Sequence, residues 1–368
     1  MVVPPFLGPF ATSAHGSALT VRAGSVPEVP RMMTSRERVS AALHGRPVDR
    51  PPIAFWGHFY HRESSARALV EATLEFQREY AWDWIKLNPR KHYHVEPWGV
   101  SYRYSGVPNQ KPVLDRWPVH QPEDWRAITE RPADAGAFAE QIEAVRMMRS
   151  ALSPDVPLIE TVFTPLAVLG EMVEHPATLR EHIDHSPDLV RAALEAVTRT
   201  YERYVSAVLG AGADGIFFAT VDWGSRDWLS PEEYAAWAKP YDLRILKQVA
   251  RAPFNVLHVC KGNNLLLELA DYPVQALSWA ATDATNPTLA QVLEHSRAAV
   301  MGGIAHEGAL LNDDPSAALD ELRRAHEQTG GGRWLVSPGC SIFPHTPPAN
   351  LRALRDAVES MMSHGRSP

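Results

Sequence analysis

This 368-residue chain has only two cysteines, and both stand where a metal ion can use them. Cys260 follows His258 at a spacing of two, in His258-Val259-Cys260, and Cys340 lies far downstream after Gly339. In an extended segment, residues two apart project to the same side, so His258 and Cys260 share a face. Thiolate and imidazole are donors that Zn²⁺ prefers, and three protein ligands with one open position is the catalytic rather than the structural arrangement. The spacing is equally compatible with a disulfide between the cysteines, or with buried thiols beside an ordinary histidine. A compact Cys-x-x-Cys pair would be a stronger metal signal than this dispersed set.

A set so dispersed needs a scaffold that brings distant segments to one place. Eight short apolar runs recur along the chain: Pro52–Trp56, Trp82–Leu87, Leu158–Phe163, Gly215–Ala219, Asn255–Val259, Ala276–Trp279, Ala299–Ile304 and Trp334–Val336. Helical patterns lie between most of them, at Ser64–Glu79, Pro187–Leu209, Pro231–Ala250, Leu265–Ala270, Leu289–Arg297 and Pro315–Gln328, and a last one at Asn350–Met361 follows the eighth run. Thr34-Ser35-Arg36-Glu37 is a capping-box signature for a first helix. Eightfold strand–helix alternation predicts an α/β fold, a (β/α)8 TIM barrel, as a single domain over residues 31–368. A longer stretch at about residues 90–157 exceeds a simple crossover; its Tyr93, Trp98, Tyr102, Tyr104 and Trp117 suit either one wall of a cleft or surface decoration.

In such a barrel the active site lies where the strands' C-terminal ends feed the following loops. The residues at those ends are His58 and His61, Lys86 and Asn88, Thr164, Asp222, His258 and Cys260, Asp283, His306 and Glu307, and Cys340, Ser341 and His345. Their enrichment in histidine, cysteine and acids points to one shared pocket. From these the expected catalytic groups are Asp222 and His306, the expected substrate contacts His58, Asn88 and Trp279, and the expected metal ligands His258, Cys260 and Cys340. Asp83 is expected as a structural residue at the barrel's other end. The bland role of the tryptophans, filling the core, is the commoner one.

Composition narrows the partners. The chain is 45% hydrophobic and 21% charged, with a formal net charge of -7 and a pI near 6.1. No Lys/Arg cluster marks a nucleic-acid surface, and no apolar run reaches the roughly 18 residues that span a bilayer. Residues 1–30, rich in Pro, Gly, Ala, Ser and Val, are expected to form a flexible extension or a packed arm. They lack the charged start and apolar stretch of a secretory signal, and two cysteines are too few for a disulfide-stapled fold, so a cytoplasmic location is expected.

Over about Met33 to Met361 the order of segments resembles the uroporphyrinogen decarboxylase superfamily. The likeness rests on Thr34–Arg38 with Gly45–Pro52, on Phe163-Thr164-Pro165-Leu166-Ala167, and on Ala211-Gly212-Ala213-Asp214-Gly215 with Ser230-Pro231-Glu232-Glu233-Tyr234. Gly302-Gly303-Ile304 and Phe343–Asn350 carry it to the end. The resemblance implies the (β/α)8 barrel. It also implies one of two chemistries. Decarboxylases of the family hold a polycarboxylate tetrapyrrole with paired arginines near the first strand, but Ile53–His61 contains none. Its methyltransferases carry a His-x-Cys followed much later by Cys as zinc ligands, which His258-Val259-Cys260 and Cys340 resemble. The implied activity is transfer of a methyl group between a corrinoid (methylcobalamin or a corrinoid protein) and a small thiol held as zinc thiolate. The implied cofactors are Zn²⁺ and a corrinoid methyl carrier, with a fourth zinc ligand available from Asp222, His306 or Glu307. A lyase or zinc hydrolase acting on another small substrate is the alternative. Lys261–Asn264 and His306-Glu307 depart from the family pattern, and bear on substrate more than on metal. Partners are expected to be a small thiol or methyl donor, with a corrinoid protein and self-association both open, and neither nucleic acid nor membrane.

Overall fold

The computed structural model describes residues 32–364, with side chains to Met361. The extension expected over residues 1–30 lies outside the described residues. The strands are β1 (Ile85–Leu87), β2 (Ser101–Arg103), β3 (Val113–Arg116), β4 (Leu158–Phe163), β5 (Gly215–Ala219), β6 (Val256–His258), β7 (Ala276–Ser278), β8 (Ala299–Ile304) and β9 (Trp334–Pro338). β2 and β3 pair with each other as an antiparallel hairpin, while the other seven form one parallel sheet in the order β1-β4-β5-β6-β7-β8-β9. Apart from half-buried Phe163, every residue of those seven strands is buried. A parallel sheet covered on both faces needs largely apolar strands, and the polar exceptions here, Lys86, Glu160, Thr161, His258, Ser278 and Ser337, are buried with the rest.

The first expected run, Pro52–Trp56, is not a ladder strand. It makes isolated parallel pairings instead, Ile53 with Val336 and Gly57 with Ile342. The Val336 N–H donates to the Pro52 carbonyl at 2.8 Å, Ala54 N–H to the Val336 carbonyl at 3.1 Å, and Asp83 N–H to the Ile53 carbonyl at 2.9 Å. The segment thus bonds to β9 on one side and to the approach to β1 on the other, giving a TIM-barrel-like architecture. Pro51 and Pro52 explain the broken ladder, because proline has no N–H to give it.

Helices fill the layer outside the sheet. The helix Ser35–Leu43 starts with the expected capping box: Thr34 accepts from the Glu37 N–H and Glu37 returns the bond. In the long helix Pro187–Gly210, Val190, Ala193, Leu194, Val197, Tyr201, Tyr204, Val205 and Val208 are buried, an apolar stripe at helical spacing. Two expected helices differ. Pro231–Ala250 is broken at Ala238 into Pro231–Trp237 and Lys239–Gln248, since Pro240 cannot extend a helix from before it. Leu265–Ala270 shrinks to one tight turn, Leu267–Leu269, too short to propagate as α-helix. The long stretch after β1 contains an ordinary crossover helix, Gly136–Ala151, so its true addition is the segment carrying the β2–β3 hairpin.

At the N-terminal end of the strands, Asp83 holds several segments together. It accepts from Arg38 at 2.7 Å, Arg50 at 2.6 Å, the Ile53 N–H at 2.9 Å and the Ser35 hydroxyl at 3.0 Å. Both arginines are buried beside it, so the charges compensate one another out of water.

Candidate metal centre

β6 ends on His258, and Cys260 lies two residues beyond; Cys340 lies two residues beyond β9. The backbone must come close to put Cys340 there. A Cβ on Gly339 would sit 2.8 Å from the Ala280 Cα, so only glycine fits at the approach. Both cysteines are free. One ligand atom each from His258, Cys260 and Cys340 lies within 4.8 Å of the others, the one such group of three or more among the described residues.

The histidine is aimed by its neighbours. Its Nδ1 is 3.1 Å from the Ser278 hydroxyl on the adjacent strand, and its ring packs on Phe217 at 4.8 Å. Nε2 is buried and makes no well-formed hydrogen bond, although the ring is close enough to Cys340 to help lower that thiol. An orphaned buried nitrogen is costly unless something else occupies it. The two thiols are hydrogen-bonded to each other. Hydrogen bonding to Cys340, then burial, pushes the Cys260 thiol up; the Cys260 thiol as donor, with the His258 and His306 rings nearby, holds Cys340 well down despite burial. Two thiols and an imidazole around a site that a cation would relieve is the donor chemistry of a borderline-soft divalent metal.

These groups open on a cavity of about 400 Å³. Its wall includes His58, Asn88 and His306 as expected. His58 is bonded to Glu63 at 2.9 Å and stacked on Tyr60; Asn88 lies 3.4 Å from the Ser341 hydroxyl. Two expected site residues are elsewhere. Trp279 is fully buried and donates its indole N–H to the Pro287 carbonyl at 2.7 Å. It follows Ser278, which faces His258, and alternation in a strand turns the next side chain away. Asp222 is absent from the cavity wall: it pairs with Lys261 at 3.1 Å, while Val221, at the unusual φ of 51°, takes the wall position. His61 lines a separate apolar cavity beside Phe59, Phe76 and Phe343.

Sequence reasoning ranked Lys86 too low. It is fully buried on the cavity wall, 4.6 Å over the Phe217 ring and 5.5 Å over Trp56, and bonded to Asn88. Burial pushes its ammonium down to about 7 against the pull of Cys340, Glu160 and Cys260. Strand position alone pointed to it. Arg90, Lys91, His92 and Lys111, also on the wall, come from the stretch after β1, and nothing in their spacing marked them.

Comparison with known proteins identifies the family. The family model for uroporphyrinogen decarboxylase (URO-D) matches residues 34–361. The chain belongs to the uroporphyrinogen decarboxylase family. It is 26% identical over 339 residues to the methylcobamide:CoM methyltransferase MtaA of Methanosarcina barkeri, covering 87% of this chain and 96% of that one. It is 27% identical over 353 residues to the uroporphyrinogen decarboxylase of Syntrophotalea carbinolica, with the same coverage. A methyltransferase structure from Methanosarcina mazei superposes with a TM-score of 0.72 at 22% identity, over 91% of this chain and 100% of that one, a likeness of fold. Within the family, sequence identity alone does not separate the two chemistries. Among the described residues, no helix is long and apolar enough to cross a membrane.

Proposed function

We propose that this protein is a zinc-dependent methyltransferase that moves a methyl group between a corrinoid and a small thiol. The observation that carries the reading is the convergence of the chain's two cysteines on His258, whose Nε2 lacks any other partner. Decarboxylation needs no such set. His258, Cys260 and Cys340 would hold the zinc, leaving a position open to substrate. When bound, zinc supplies a lowered thiol pKa, so that the substrate sulfur is nucleophilic near neutral pH.

The chain's own groups do the rest. The Ser278 hydroxyl fixes the His258 ring. His306, Asn88 and His58 are the proposed contacts to substrate, with His306 near enough to lower Cys340. Trp56 and Phe217 form an apolar part of the wall that excludes water from the reacting sulfur. Asp222 acts through Lys261, its ion-pair partner on the cavity wall, rather than on substrate. A corrinoid, free or protein-borne, is the proposed methyl carrier. The test is transfer from methylcobalamin to a panel of small thiols by zinc-loaded protein: methyl thioether is expected, and zinc-loaded protein that leaves every thiol unmethylated contradicts the reading.

A further inference from the structure

A second cluster of titratable groups lines the same cavity and takes no part in the metal centre. β1 and β4 are neighbours in the sheet, and the segments after them supply the members: Lys91 and His92 after β1, Glu171 after the helix Pro165–Gly170 that follows β4. The His92 Nδ1 is 2.9 Å from Glu171, and His94 Nε2 is 3.2 Å from the same oxygen. Burial alone would raise Glu171. His94 and Lys91, with the hydrogen bond from His92, hold its carboxyl well below the usual range instead. An ionised carboxylate only accepts, so His92 must donate its Nδ1–H to it. That leaves Nε2 as the acceptor face of the neutral ring, and no hydrogen bond within the described residues engages it.

We propose that His92, oriented by Glu171, is the base that takes the proton of the acceptor thiol, a catalytic residue that neither motif nor spacing marks. This rests on the function proposed above. In the step, the S–H bond breaks and its proton goes to His92 Nε2. The electron pair left on sulfur attacks the methyl carbon, and the carbon–cobalt bond breaks with its pair remaining on the corrinoid. The backbone supports a built position: His92 has a φ of 67°, a left-handed conformation that a free loop residue rarely keeps. The groups facing the ring are Glu171 from after β4, Tyr102 of β2 with its ring 5.4 Å away, and Lys91 and His94 of its own segment. Burial first, then Lys91 and His94, outweigh Glu171 and lower the imidazole below its usual value, so it is neutral and receptive at pH 7.

The test times the proton. Zinc-loaded protein is mixed with 2-mercaptoethanol by stopped flow at pH 7.5, in weak buffer with a pH indicator. His92→Asn is the main variant, because asparagine tolerates the left-handed backbone; Glu171→Gln is the second, should the first fail to fold. The lowered imidazole passes the proton on to solvent at this pH. Wild type and His92→Asn are therefore expected to release the same number of protons per thiol bound at unchanged zinc content, the variant about 10²-fold more slowly or worse. Methyl transfer should fall about 10²–10⁴-fold in kcat. Equal rates of proton release by wild type and both variants would overturn the role of His92 alone. Absence of thiol binding to zinc-loaded wild type would overturn the proposed function and this inference with it.

Discussion

The residues easiest to read in the sequence were those of rare type. Both cysteines of the chain meet one histidine, and their chemistry singles them out even without close spacing. Each must lose its proton to bind a metal, and the hydrogen bond between them with burial makes the second loss harder. Zinc affinity should therefore fall as pH drops, and chelation should free two reactive thiols. Cys260→Ser or Cys340→Ser should reduce bound zinc at pH 7 severalfold or more while the circular dichroism spectrum stays unchanged; wild-type zinc content in both variants would exclude these ligands. His92 and Lys86 were harder to read, because what distinguishes them is burial and a partner far away in sequence. Trp279 was misread for a local reason: a residue at a strand's end faces the cavity only on alternate positions, and Ser278 already holds that side.

At the scale of elements, strands were legible where apolar runs are continuous, and boundaries failed where proline or shortness intervened. Pro51-Pro52 breaks the first run into isolated pairings, and Pro240 divides an expected single helix. The junction between those two helices carries a further consequence. Asp242, fully buried at the start of Lys239–Gln248, accepts from Tyr234 at 2.9 Å and Tyr272 at 2.8 Å, but its other oxygen has no partner. Burial pushes its carboxyl up to about 7, against the pull of the two tyrosines. A raised acid favours the fold below its unfolded value, and that contribution is lost as pH rises through the folded value. Between pH 4 and 7 the loss from this group reaches about 4 kcal/mol as an upper figure. Asp242→Asn should flatten the decline in unfolding midpoint between pH 5 and 8; an unchanged slope in the variant would rule the group out.

On the scale of the whole molecule, eight recurrent runs predicted a barrel, and the parallel order of seven strands with a bridging first segment is TIM-barrel-like. What the periodicity could not convey is how the bridging segment is tied down, which depends on Asp83 and two arginines widely separated along the chain. Asp83→Asn leaves two buried guanidinium groups short of a counter-charge and should cost about 3–5 kcal/mol by denaturant unfolding. Zinc content at the other end should not change, which distinguishes scaffold from site. A loss under about 1 kcal/mol would mean the cluster is not what holds the first segment.

The central claim is that His258, Cys260 and Cys340 hold one zinc ion with a position open to a thiol. Zinc K-edge X-ray absorption on gently purified protein tests it directly. The account predicts about one zinc per chain, with two sulfur neighbours near 2.3 Å and nitrogen near 2.0–2.1 Å, gaining a third sulfur when 2-mercaptoethanol is added. A first shell of nitrogen and oxygen only, or protein that stays below about half an equivalent of zinc in zinc-supplemented buffer, would contradict it.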